Sequence, residues 1–388
     1  MRLAFLPIAL AALPAAFAQS CTITALGTGR DDSPQLLTAM QACSTVVVPA
    51  TTTLNISTRL NMTGLSNKHL NLQGRMRFNP NIAYWTANGF PFAFQTQITF
   101  WIFGGTNLVI DGGGTLDGAG QAWYDAFAKN ATLLRPIILT VFQATNVLVQ
   151  NIHFLNGPEW SNLINEGKNV TFNNITLNAA STSSNAAKNT DGWDIYRSDQ
   201  VKILNSVVNN GDDCVSFKTR RTSWYKTSTV RDLTASPSLG QFAGMFDIVE
   251  NVTATNIRMS NAQNGARIKC WAGSGVGSGI VKNITFNGFI ESKVDNPVII
   301  DQCYMTSASD CAAFPSNTLI QDIFFNNISG TASGSTVANL GCSPGARCTD
   351  INVNNFALAA GSGTAKFACQ NVKLNGNAAP LFGTCATT

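Results

Sequence analysis

Three carboxylates lie close together along the chain: Asp191 in NTDGWDIYRS, then Asp212 and Asp213 in NGDDCVSFK. If these two segments occupy equivalent points of adjacent parallel strands, about 4.8 Å apart, the three acids form one cluster on a single face. Such a cluster suits acid–base hydrolysis of an acetal bond. One protonated carboxyl gives its proton to the leaving oxygen, and ionised carboxylates activate water. Like charges this close raise one pKa, which holds a proton in the cluster near neutral or mildly acidic pH. The competing reading is that these aspartates only shape turns, as is expected of Asp31 and Asp32. Further on, NGARIKCW places Arg267 and Lys269 two residues apart. On a strand they share one side. Both cations can then face the same cleft and hold anionic groups, Arg through a bidentate fork and Lys as a point charge. A solvated basic strand is the alternative.

The elements that must position these residues recur along the chain. Apolar residues alternate with small polar ones in NLVIDGGGTLDG from Asn107, NVLVQNIHF from Asn146, NVTFNNITL from Asn169 and QVKILNSVV from Gln200. The pattern resumes in NVTATNIRM from Asn251, NITFNGFIE from Asn283, DIFFNNISG from Asp322 and INVNNFALA from Ile351. Period-two alternation indicates strands, and no long segment has helical periodicity. Repeats spaced by roughly 20–40 residues indicate a solenoid whose coils pack only on their neighbours. The expected fold is all-β: one right-handed parallel β-helix of about ten coils. An N-terminal cap is expected near Asp31 to Ala42. Asparagines at the turns suit left-handed backbone angles and can stack in ladders. An immunoglobulin-like or jelly-roll sandwich is the alternative architecture.

Charged residues make up 12% of the 388-residue chain, about half the usual share. A net charge of +4, scattered along the sequence, gives no footprint for nucleic acid. Arg2, the apolar run Leu3 to Leu13 and Ala16-Phe17-Ala18 have the layout of a secretory signal peptide over residues 1–18. That run is too short to span a bilayer, so a secreted, extracellular protein is expected, with residues 19–388 as the β-helix domain. Ten cysteines in an exported chain read as disulfides. Proximity suggests Cys21–Cys43, Cys303–Cys311, Cys342–Cys348 and Cys369–Cys385, and leaves Cys214 and Cys270. Metal ligation is not expected, because no CxxC pair exists and His69 and His153 are the only histidines. Sequons at Asn55, Asn61, Asn130, Asn169, Asn174, Asn251, Asn283 and Asn327 mark candidate glycosylation sites.

NTDG, GDD and RIK, in this order and separation, resemble the signature of family-28 glycoside hydrolases, the polygalacturonases and their relatives. The likeness covers nearly the whole chain after the leader. The wording DGWDIYRS, NGDDCVSFK, SLGQ, DIVENV and GARIK is nearest to fungal exopolygalacturonases, which remove single galacturonic acid units from the non-reducing end. The resemblance implies Asp212 as general acid and Asp191 and Asp213 as the bases that activate water, with inversion at the anomeric carbon. It also implies that Arg267 and Lys269 bind the sugar carboxylate near the scissile bond and that Asn189 supports the acids. Tyr304, in DQCYMTS, matches a tyrosine that packs near the sugar, and is equally placed to be held by a Cys303–Cys311 turn. Trp160, in GPEW, either lines the end of the cleft or sits in the core. The implied substrate is polygalacturonate or pectin, with no cofactor, no nucleic-acid or membrane partner, and a monomeric state.

One departure stands out. The family has a Gly-Ser-His-Gly or Gly-Gly-His-Gly turn between GDD and RIK, with a cysteine a few residues earlier that pairs with the one matching Cys214. Both are missing here. The step from Gln200 to Asn251 shows no repeat, and residues 219–237, TRRTSWYKTSTVRDLTASP, are basic and hydroxyl-rich without a buried-strand pattern. Family-like wording resumes at Ser238. A local change of reading frame or a misplaced intron boundary over 219–237 accounts for all of this, and predicts poor folding and weak or no hydrolysis for the chain as written. Endo-polygalacturonase and exo-rhamnogalacturonan hydrolase are the alternative activities, and an inactive pectin-binding β-helix is the alternative class. A pectate lyase would rely on Ca²⁺ and an arginine base, against which the paired acids argue.

Overall fold

The computed structural model describes residues 19–219, 223–224, 235–239 and 241–388. The expected leader over 1–18 and most of the anomalous 219–237 stretch lie outside the described residues. Strand after strand pairs in parallel with the strand one coil later, which gives a right-handed parallel β-helix and not a sandwich. Among the described residues one pair is antiparallel, the hairpin of Phe90–Phe92 with Gln97–Thr99.

The alternation seen in the sequence sets the register. Val141, Ile164, Ile195 and Phe217 pair in succession along one sheet, and Ile268, Ile300, Leu340 and Cys369 continue the same kind of stack after the break. On a second sheet Val149, Phe172 and Ile203 pair, and later Ala254, Phe286, Phe325 and Val353. These side chains point inward and are almost wholly buried. Phe286 and Phe325 stack with ring centroids 5.1 Å apart, which shows how identical positions on successive coils build one continuous core.

The corners between strands are where the asparagines sit. Asn107, Asn146 and Asn169 have φ of 57°, 58° and 53°, a left-handed conformation that asparagine tolerates. Their amides form a ladder: Asn146 Nδ2 donates to Asn107 Oδ1 at 2.9 Å, and Asn169 Nδ2 donates to Asn146 Oδ1 at 2.9 Å. Asn283 donates to Asn251 in the same way at 2.7 Å. The sequon asparagines therefore fall into two groups. Asn169, Asn174, Asn283 and Asn327 donate from Nδ2 within such ladders, whereas Asn61 and Asn130 are exposed and accept from Thr63 and Thr132 of their own sequons. Asn55 donates to the Arg30 carbonyl, and Asn251 accepts in the ladder.

Both ends of the solenoid are covered, the first by the expected N-terminal cap. Helix Ser33–Ala42 buries Leu36 and Met40 against the first coil. Asp32 accepts the backbone N–H groups of Leu26 and Asn55, both at 2.8 Å, so Asp31 and Asp32 shape the cap. At the other end Phe382 packs against Phe367 and Phe356. All four proposed disulfides are present: Cys21–Cys43, Cys303–Cys311, Cys342–Cys348 and Cys369–Cys385. Cys214 and Cys270 are buried outside these pairs. Val215 pairs with Ala235, and Leu239 pairs with Cys270, so the two cysteines sit two strands apart, beyond disulfide reach. Among the described residues no helix is long and apolar enough to cross a membrane.

Candidate active site

The site lies on the outward face of the first sheet, where short strands Asn162–Asn165, Trp193–Tyr196 and Val215–Thr219 follow one another. Backbone bonds lock the turns that precede them. Ser161 N–H donates to the Asp191 carbonyl at 2.8 Å, Gly192 N–H to the Asp213 carbonyl at 2.9 Å, and Trp193 N–H to the Cys214 carbonyl at 3.0 Å. The glycine of NTDG is required by this close approach: a Cβ on Gly192 would lie 2.4 Å from the Cys214 carbonyl oxygen.

Asp191, Asp212 and Asp213 meet as the sequence predicts. One carboxylate oxygen from each lies within 4.8 Å of the others. Asp191 and Asp213 are buried, while Asp212 is open to the cleft. Asp213 Oδ2 accepts from Lys269 Nζ at 3.0 Å, between two buried side chains. Asp212 Oδ1 accepts the backbone N–H of Asp213 at 2.8 Å, and its Oδ2 accepts from Asn189 Nδ2 at 3.1 Å. Asn189 Oδ1 in turn accepts from Arg135 Nη2 at 2.9 Å. A guanidinium can only donate, so Arg135 fixes the Asn189 amide with its NH2 towards Asp212.

The charges are poised to retain protons. Burial and the neighbouring charges of Asp194 and Asp212 push the Asp191 carboxyl well above the ordinary carboxylate range. Enclosure by the surrounding protein, and then the charge of Asp213, raise Asp212 as well. Asp194 is pushed up to about 7 by burial, against the pull of Lys218. Lys218 Nζ is 3.1 Å from Asp194 Oδ1 and 5.1 Å from the centroid of a Trp160 ring. Burial works against the Lys218 charge, but Asp194, Asp191 and Asp213 outweigh it and its pKa rises. The protons thus belong to the cluster as a whole, with Lys218 and Lys269 as its counter-charges. By spacing alone the three acids could ligate a cation, yet Lys269 already gives Asp213 a positive partner.

Around the acids is a cavity of about 580 Å³, a usual size for a small-ligand site. Lys269, Asn189, Tyr304 and Trp160 line it with the acids. Arg267 shares the face of Lys269 but is set back. Its guanidinium carbon is 4.8 Å from the Tyr304 ring centroid, and Lys269 Nζ is 4.9 Å from the same ring. Tyr304 also meets Trp271 edge-on at 5.4 Å, beside the Cys303–Cys311 bridge.

Loops complete the lining. The hairpin 90–99 pairs with Pro136–Ile137 and packs on the neighbouring strands, where Phe94 stacks on Tyr196 at 4.1 Å and Phe92 meets Phe142 at 5.5 Å. Gln95 Nε2 donates to Gln241 Oε1 at 2.9 Å, and residues 95–97 and 131–135 line the cavity beside Glu159. Sequence reasoning missed these loops and also missed Arg135, Glu159, Asp194 and Lys218. A signal for two of them was present: Asp194 alternates with inward Trp193 and Ile195, and Lys218 follows inward Phe217.

Comparison with known proteins agrees with this geometry. The sequence profile of "Glycosyl hydrolases family 28" matches residues 39–380. The chain is 41% identical over 389 residues to an exopolygalacturonase of Cochliobolus carbonum, covering 95% of this chain and 87% of the relative. It is 39% identical over 378 residues to a probable exopolygalacturonase X of Aspergillus fumigatus, covering 91% and 87%. Among solved structures, the endo-xylogalacturonan hydrolase of Aspergillus tubingensis superposes with a TM-score of 0.85 at 30% identity, covering 95% of this chain and 99% of that one.

Proposed function

The chain belongs to glycosyl hydrolase family 28 and is a glycosidase, and we propose that it removes galacturonic acid from the non-reducing end of polygalacturonate. The observation that carries this reading is the meeting of three carboxylates within 4.8 Å, beside a buried lysine, in one cavity. Asp212, the accessible member, gives its proton to the glycosidic oxygen. Asp191 and Asp213 hold and deprotonate the attacking water. Oxygens no more than 4.8 Å apart can both be reached by one water about 2.8 Å from each, at an angle of up to about 118°, so one water can bridge both bases. Attack by water without a covalent intermediate inverts the anomeric carbon. Acid–base chemistry of this kind needs no metal or cofactor.

The substrate is polyanionic, and the cations suit it. Lys269 reaches the carboxylate of the sugar beside the scissile bond, with Arg267 over the same Tyr304 ring. The names of the relatives favour action at a chain end over internal cleavage. Residues 1–18 act as the secretion leader of an extracellular monomer, and Asn61 and Asn130 are the best placed sequons for glycans. The stretch 219–237 stands where the family histidine turn belongs, and we attribute it to a shifted reading frame or a misplaced intron boundary.

Product analysis tests the assignment. Digestion of polygalacturonate should release galacturonic acid alone while viscosity changes little. Mixed oligomers would indicate an endo enzyme, rhamnose-linked products from rhamnogalacturonan the exo-rhamnogalacturonan alternative, and binding without any product an inactive pectin-binding protein.

A further inference from the structure

We propose that Glu159, held by Gln97 and Arg135 in the cavity beside the acids, is the residue that reads the free terminal hydroxyls of the polygalacturonate chain. This rests on the exo reading above. The backbone order places it: Ser161 bonds to Asp191, and Leu139 and Ile138 bond to Ser161 and Trp160, so Glu159 sits one coil before Asp191 and one after Arg135. Coils are spaced about 4.8 Å apart, so Glu159 lies roughly one sugar unit from the acids, on the side lined by residues 95–97 and 131–135. The proposal seats the terminal unit of an exo substrate on that side.

The chemistry fits a terminal diol. Glu159 faces the cavity, partly accessible, with its carboxyl bonded by the Gln97 side chain and the Arg135 backbone N–H. Arg135 is itself immobilised by bonds to the carbonyls of Pro158 and Lys188 at 2.9 and 2.7 Å, and it lies over the Phe127 ring at 3.6 Å. A carboxyl with two oxygens can engage the neighbouring C3 and C4 hydroxyls of galacturonic acid together. The C4 hydroxyl is free only at the non-reducing end, since every internal unit uses that oxygen in its linkage. Burial pushes the Glu159 carboxyl up to about 7, so at mildly acidic pH it can both donate and accept a hydrogen bond. The acids of the catalytic cluster do not need Glu159 for proton transfer, which leaves it available for recognition.

The test compares two ligands on variant proteins. Digalacturonate and its 4,5-unsaturated counterpart, which lacks the terminal C4 hydroxyl, are titrated by tryptophan fluorescence against the full chain carrying Asp212→Asn to stop turnover. The saturated ligand should bind about tenfold more tightly, the upper range for a net hydrogen bond between uncharged groups. Adding Glu159→Ala should bring the two affinities within about threefold, and Glu159→Gln should keep part of the difference. Discrimination that survives Glu159→Ala assigns the preference to ring shape and overturns the proposal, as does an equal loss for both ligands. If neither ligand binds a parent Asp212→Asn protein that circular dichroism and a cooperative melt show to be folded, the polygalacturonate reading fails, and this proposal falls with it.

Discussion

Replacing Lys269 with methionine should move the acid limb of the pH–activity profile towards alkaline pH. Lys269 Nζ lies 3.0 Å from Asp213 Oδ2, and the two side chains are 7% and 8% exposed. Coulomb's law at that distance gives roughly 1.4 kcal/mol at the dielectric of water and roughly 5.5 kcal/mol at an effective value of 20. At about 1.4 kcal/mol per pKa unit, this corresponds to roughly one to four units. Relaxation and the remaining Lys218 charge favour the lower half of that range. The sign follows from the role of Asp213: it must be ionised to take a proton from water, and removing its cation makes ionisation harder. The limb reporting that ionisation therefore shifts up by about one to two pH units. The assay is kcat/KM for galacturonate release from a short oligogalacturonide across pH, for the parent and for Lys269→Met and Lys269→Arg. The arginine variant should restore most of the limb position while altering KM. A Lys269→Met protein whose KM rises but whose acid limb stays in place would refute the reasoning, because Lys269 would then serve substrate binding alone.

Three further outcomes are expected. Glu291 is 2% exposed with neither carboxylate oxygen bonded among the described residues, and burial holds its pKa well above the ordinary value. Its contribution to stability is full below about pH 4.3 and is lost by about 1.4 kcal/mol per pH unit as pH rises towards the raised pKa. Glu291→Gln should flatten that slope in denaturant melts between about pH 4.5 and about pH 7, and an unchanged slope would place the penalty elsewhere. Phe286→Ala, which empties one layer of the stack with Phe325, should cost about 3–5 kcal/mol in the same melts, and a loss below about 1 kcal/mol would mean that the coils repack freely. Finally, genomic DNA read in the other two frames across residues 219–237 should encode a coil with Cys followed by Gly-x-His-Gly. The chain as written should hydrolyse slowly beside a chain with that coil restored, and equal rates would show that the histidine turn is dispensable.

The sequence exposed those features that repeat or that sit at strand ends. Val149, Phe172 and Ile203 were legible because inward positions recur every coil, and the asparagine corners because few other residues tolerate their backbone angles. Asp191 and Asp212–Asp213 were legible because neighbouring coils bring equivalent positions together. The disulfides followed from short separations. Features assembled from side chains on several coils were hidden. Arg135 acts on Asp212 through Asn189, a relay with members on three separate coils that no local spacing reveals. The hairpin 90–99 is antiparallel where the other described pairs are parallel, and it lines the cavity through residues 95–97. Strand alternation gave Arg267 and Lys269 the same face, but not their partners: Arg267 lies over the Tyr304 ring, whereas Lys269 is paired with Asp213.

Direct attack by water at a site that takes the chain end is examined most directly with hexagalacturonate followed by proton NMR from the first minutes. Galacturonic acid should appear first as the β anomer, together with the pentamer. Initial release of dimers, trimers or tetramers, or of the α anomer, would contradict it.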